Sequence, residues 1–139
     1  MSEEIGFEIK LLLSYEDALN KTVEALKDEG FGVLTKIDVQ ATLKEKLGQE
    51  FRPYSILGAC NPPLAHRALT QDPVVGLMLP CNVTVEAVAS NETMVRIANP
   101  QVMLQVGTLQ KDEVLAEIAT EARLRLERVA KALLDNKIK

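Results

Sequence analysis

The sequence predicts an α+β fold: an antiparallel sheet of about five strands with two principal helices packed on one face. Three observations carry this. Short segments that alternate apolar and polar residues recur between 5–11 and 93–97. Long helical stripes occur after Ser14 and at the C-terminal end, and turn or capping residues stand at most boundaries. The 139 residues fit one domain, 1–139, large enough to bury a core without a disulfide or a metal. Hydrophobic residues make up 47% and charged residues 26%, a globular balance, and with 4% aromatics and no Trp the core must be aliphatic.

Ile5, Phe7, Ile9 and Leu11 alternate with Gly6, Glu8 and Lys10, the period of a strand with one buried face. Ser14 is an N-cap, with Asp17 completing a shortened capping box. Ala18, Leu19, Val23 and Leu26 then form a helical stripe that stops at Gly30, a C′ residue. Residues 31–37 read as a second strand, and Asp38 caps a short helix carrying Leu43 and Leu47 that ends at Gly48. Residues 54–59 read as a third strand.

Three Asx-Pro steps follow: Asn61-Pro62, Asp72-Pro73 and Asn99-Pro100, each a capping side chain directly before a proline. The first opens a helix to about Leu69, the second a turn or short helix over 74–77, and the third precedes too short a segment to assign. Residues 83–88 and 93–97 form a hairpin across Ser90-Asn91. Leu115, Ile118, Ala122, Leu126, Val129 and Leu133 make one stripe of a long helix. Asp112 and Glu113 at its start, and Lys131 and Lys137 at its end, match its dipole, and Glu121–Arg125 and Glu127–Lys131 are expected as i,i+4 pairs.

The net charge is −4 and no basic cluster interrupts it, so the phosphate-binding surface of a nucleic-acid protein is missing. Met1-Ser2-Glu3-Glu4 lacks the pattern of a signal peptide and no apolar run approaches a membrane span, so a cytoplasmic chain is expected. Thiols stay reduced there, so Cys60 and Cys81 are expected as free thiols. Five short strands leave two sheet edges, and pairing with a second copy would cover one.

Each cysteine is followed by an asparagine, and Cys60-Asn61 and Cys81-Asn82 are the candidate site. Cys60 precedes a helix start, where the dipole would favour a thiolate. Pro62 and Pro63, however, have no N–H, so the helix's free donors begin only at Leu64. Gly58 and Ala59 are small and permit close approach. Cys81 follows Pro80 and opens the strand of 83–88; if that strand neighbours 54–59, the two cysteines meet at one end of the sheet.

Three readings of the pair stand side by side: small buried fillers, a functional thiol site, or a metal site that pools four thiolates across a dimer. His66, the only histidine, is poorly placed as a base, since six helical residues rise about 9 Å from Cys60 and turn the side chains apart. Asn61 is explained as a cap, whereas no helix starts at Asn82. No phosphate-binding glycine loop, C-x-x-C, H-E-x-x-H or paired-carboxylate site is present.

The run Phe51-Arg52-Pro53-Tyr54-Ser55-Ile56-Leu57-Gly58-Ala59-Cys60-Asn61-Pro62-Pro63-Leu64-Ala65, followed by Gly76-Leu77-Met78-Leu79-Pro80-Cys81-Asn82-Val83, resembles the bacterial and archaeal family called domain of unknown function 302. The stretch Asp38-Val39-Gln40-Ala41-Thr42-Leu43-Lys44-Glu45-Lys46-Leu47-Gly48 is similar to it as well. The resemblance implies a fold similar to the TATA-binding-protein-like α+β sandwich, a tendency to homodimerise, and sulfur-handling proteins as possible partners. Both Cys-Asn pairs lie inside the family's motifs. The resemblance implies no activity, and the DNA binding of the fold's namesake does not transfer with the fold.

The expected function is therefore a cytoplasmic homodimer, without a cofactor, that binds a small molecule or partner in a groove lined by Cys60, Asn61, Cys81 and Asn82. A thiol redox or sulfur-transfer protein, with Cys60 as thiolate and Cys81 as resolving partner, is the alternative. A metal-bridged dimer is the third. Catalysis ranks below binding because no base stands beside the nucleophile.

Overall fold

The computed structural model describes residues 4–136. Among them, β1 (Gly6–Leu11), β2 (Gly32–Asp38), β3 (Tyr54–Cys60), β4 (Cys81–Ala89) and β5 (Glu92–Ala98) form one sheet in the order β1-β5-β4-β3-β2, antiparallel throughout. The helices are α1 (Tyr15–Asp28), α2 (Val39–Leu47), α3 (Pro62–Gln71), α4 (Pro100–Met103) and α5 (Glu113–Asn136), with 3₁₀ turns at Pro73–Met78 and Gly107–Lys111. The two longest helices, α1 and α5, pack on the sheet, and the shorter α3 and α4 pack on α5.

The capping residues act as the sequence predicts. Ser14 accepts from the Asp17 N–H at 3.2 Å, Asp38 from Ala41 at 3.0 Å, and Asn61 from Leu64 at 3.2 Å. Asp72 accepts from Val74 and Asn99 from Gln101, each at 3.0 Å, so the third Asx-Pro step does open a helix. Gly30 and Gly48 end their helices with φ of 85° and 67°, the left-handed conformation that only Gly adopts freely.

Two apolar clusters make the core. In the first, Ile9, Leu11, Leu57, Val83, Val85, Val95 and Ile97 from one face of the sheet meet Leu19 and Leu26 of α1 and Leu126, Val129 and Leu133 of α5. In the second, Leu64 and Ala68 of α3, Val75, Leu104 and Leu109 meet Leu115, Ile118 and Ala122 of α5. All six residues of the stripe predicted for α5 are buried, and burying each Leu, Ile or Val stabilises the fold by about 1.5–3 kcal/mol. The stripe of α1 is shifted from expectation: Val23 is 37% exposed, and Thr22 takes the inward place with its hydroxyl donating to the Ala18 carbonyl at 2.7 Å. Helix α2 buries none of its residues, so Leu47 is exposed.

Glu121 pairs with Arg125 at 3.1 Å as predicted and also with Arg67 of α3 at 3.2 Å. Glu127 turns to Arg123, at 3.0 Å, and not to Lys131. Arg123 is already held by Gln101 at 2.6 Å and stands over the Phe7 ring, so pairing with it orders one fewer side chain. Lys137 and Met1–Glu3 lie outside the described residues. Among the described residues, no helix is long and apolar enough to cross a membrane.

Candidate functional site

Strand β3 ends at Cys60, and Asn61 turns the chain into α3. Because Pro62 and Pro63 supply no donor, the first two free backbone N–H groups belong to Leu64 and Ala65. Asn61 takes both, through its side chain at 3.2 Å and its carbonyl at 2.9 Å. This helix start has no donors left over for an external anion.

Cys81 opens β4, which is hydrogen-bonded to β3 with Ala59 directly opposite Cys81. The two cysteines are thus diagonal neighbours at one end of the sheet, both half-buried and both free thiols. Gly58 permits this crowding, since a Cβ there would stand 2.8 Å from the Pro80 ring and collide with the Thr35 hydroxyl.

Cys60, Asn61 and Cys81 line one cavity of about 310 Å³ between α3, α5 and the ends of β2, β3 and β4. Its walls are otherwise almost wholly apolar. Phe31 and Ala59 come from the first core cluster, and Leu64, Ala68, Ile118 and Ala122 from the second, so the cavity sits in the seam between them. The register of β2 against β3 shifts between Val33 and Thr35, leaving Leu34 as the extra residue; it is 68% exposed and also lines the cavity. Bulges commonly re-aim a side chain beside a functional site.

Burial, and secondarily the neighbouring Cys60, pushes the Cys81 thiol up to about 11, so it is protonated at neutral pH. His66 is exposed on α3 and does not line the cavity, leaving no imidazole base beside either sulfur. Among the described residues, no three His, Cys, Asp or Glu side chains are grouped to hold a metal ion.

Asn82 is exposed and lines a different, wider cleft of about 1020 Å³ on the other face of the sheet, with Glu8, Tyr54, Thr84 and Arg96; Cys81 borders both spaces. That face also holds a charge cluster that the sequence reading missed. The Glu86 carboxylate accepts from Arg52 at 2.6 Å and Arg96 at 2.7 Å, and Arg96 also donates to Glu8 at 2.7 Å. The hydrogen bonds from Arg96 and then Arg52 hold Glu86 below the usual carboxylate range. The alternation over 83–88 and 93–97 already puts Glu86 and Arg96 on the polar face of the hairpin, but not opposite each other's partners.

Residues 7–133 match the model of a family described as "Domain of unknown function DUF302". The chain is also similar to a solved structure, an uncharacterized conserved protein DUF302 from Bacillus stearothermophilus. The two share 30% sequence identity and superpose with a TM-score of 0.80, over 91% of this chain and 96% of that one. No curated protein matches.

Proposed function

This chain belongs to the DUF302 family, and from that premise we propose that it is a binding protein that takes a small, largely apolar molecule into the cavity shared by Cys60, Asn61 and Cys81. The observation that carries the reading is the cavity itself. It is concave, apolar and near the lower end of the range of about 300–1,000 Å³ typical of small-molecule sites, with few polar groups to orient a ligand. The protonated Cys81 thiol and the absence of a neighbouring histidine base favour binding over thiol catalysis. Asn82 belongs to the reading only through the cleft behind Cys81.

The reading includes a cytoplasmic homodimer. Strand β2 is an edge of the sheet, with Ile37 about half exposed beside the bulged Leu34, and a second copy would cover those side chains. Light scattering tests this; a monomer at micromolar concentration counts against it.

Titration with the neutral fluorophore N-phenyl-1-naphthylamine tests the cavity. Wild type should enhance its emission, and Ala65→Phe, which pushes a ring in from α3, should abolish the enhancement while leaving the circular dichroism spectrum unchanged. Equal enhancement by both proteins, or none by wild type, refutes the reading.

One observation bears on thiol redox or sulfur transfer as a second reading: Cys60 and Cys81 stand at the ends of adjacent strands and line the same cavity. In it, hydrogen peroxide oxidises Cys60 to a sulfenic acid with loss of water, and the Cys81 thiol condenses with it to a disulfide and a second water. Mass spectrometry after peroxide treatment distinguishes this product from two independently oxidised thiols. A metal shared across the dimer through the same cysteines is tested by elemental analysis.

A further inference from the structure

Resting on the cavity reading above, we infer that a second copy of this chain packs on β2 and α2 and closes the mouth of the cavity, so that the small molecule is held fully only in the dimer. Residues 32–50 include no buried residue. In β2 only Val33 is even half-buried, and Leu34 and Ile37 are exposed. In α2, Val39 and Leu43 are half-buried, and Leu47, which continues their stripe, is 66% exposed. A nine-residue helix is too short to stand in water on its own hydrogen bonds and takes its stability from an apolar face packed against a neighbour. The caps at Asp38 and Gly48 and the bond from Gln40 to the Phe51 carbonyl order the ends of α2 but leave that stripe half covered.

The charge on this surface fits a second copy. Lys36, Lys44 and Lys46 stand against Asp38, Glu45 and Glu50, an even balance in a chain of net charge −4. Lys44 pairs with Glu50 at 3.3 Å, while Lys36, Glu45 and Lys46 make no ion pair among the described residues. In a two-fold contact a patch meets its own image, so it must carry both signs; a patch of one sign repels itself. The bulge at Leu34 and the charge of Lys36 blunt the edge of β2 against direct strand pairing, which leaves side-chain packing as the means of contact.

Leu34 joins this surface to the cavity. It lines the cavity together with Leu69, and both are exposed, so the mouth is apolar and opens beside β2. A copy seated on Leu34 removes that mouth from water and raises the share of a bound ligand's surface that protein covers.

The affinity for N-phenyl-1-naphthylamine, measured across a dilution series with light scattering at each protein concentration, tests the inference in wild type and in Leu47→Glu. Leu47 lies on α2 and does not line the cavity, and its exposure lets glutamate replace it within the same fold. Wild type should dimerise and bind the probe about tenfold more tightly as a dimer than as a monomer, and the probe should in turn strengthen dimerisation, because coupling is reciprocal. L47E should be monomeric, keep the wild-type circular dichroism spectrum and bind the probe about tenfold more weakly. Ile37→Glu, on β2 and likewise outside the cavity lining, should do the same whether or not L47E folds. A monomeric wild type, a dimer that both variants leave intact, or equal affinity in monomer and dimer overturns the inference and leaves the cavity reading standing. No enhancement by wild type in either state removes the cavity reading and the inference with it.

Discussion

Replacing Cys60 by Ser and following the alkylation of Cys81 against pH isolates the thiol whose ionisation the fold suppresses. The ordinary thiol value of 9.0 is raised to about 11, chiefly by burial and secondarily by Cys60. Two units mean that at pH 8 the thiolate fraction is about a hundredfold below that of an unhindered cysteine. Removing Cys60 subtracts the smaller cause, so most of the suppression should remain. The assay is the rate of iodoacetamide incorporation at Cys81, read by mass spectrometry from pH 7 to 10. A logarithmic rate that climbs with unit slope and shows no plateau by pH 9.5 is expected. The same shift acts on stability. The unfolded thiol releases its proton near 9 while the folded one keeps it, so stability is unaffected below pH 9 and falls between about 9 and 11, by about 2–3 kcal/mol in all. A plateau near pH 8.5 would refute the argument, because it would mean that Cys81 is hydrated and that the cavity wall is open to water at the sulfur.

Two further substitutions probe the frame around the site. Glu86→Gln should cost about 1–2 kcal/mol in urea denaturation, a figure kept small because Arg52 and Arg96 are partly exposed. Because the two arginines lower the pKa of Glu86, its ionised form stabilises the fold above the unfolded carboxylate value, and that contribution is lost as pH falls through the folded one, so the gap between wild type and E86Q should narrow in acid. Gly58→Ala should cost about 1–3 kcal/mol by forcing Pro80 and Thr35 apart, and thermal melting without loss of stability would contradict the close packing assigned to that position.

Legibility in the sequence followed the range of the forces involved. The caps at Ser14, Asp38, Asn61, Asp72 and Asn99 are local hydrogen bonds spanning two or three residues, and each could be read from residue type and neighbour. The stripe of α5 was legible because six spaced aliphatic residues have one common face. Thr22 was missed in favour of Val23 because a threonine can satisfy its own hydroxyl on the preceding turn and then pack as a small apolar residue. The Cys-Asn pairs pointed to where a groove would lie, but the cavity's apolar walls from α3 and α5 were not legible. It depends on where two clusters fail to meet, and the bulge at Leu34 changes no residue type. Arg125 read as a surface pair with Glu121, whereas its second branch reaches back to the carbonyl that ends α1.

Helix α5 runs through both apolar clusters, contributing Leu115 to Ala122 to one and Leu126 to Leu133 to the other, with the cavity beside the join. The two bodies share this rod and the short connections that leave the ends of β3, β4 and β5, with a gap between them. The α3 end can therefore loosen while the sheet and α1 hold, and amide exchange should divide the molecule along that line. A molecule wedged into the gap touches both bodies at once. It would act as a keystone, merging two cooperative units into one, and its presence should be legible as protection far from any atom it contacts.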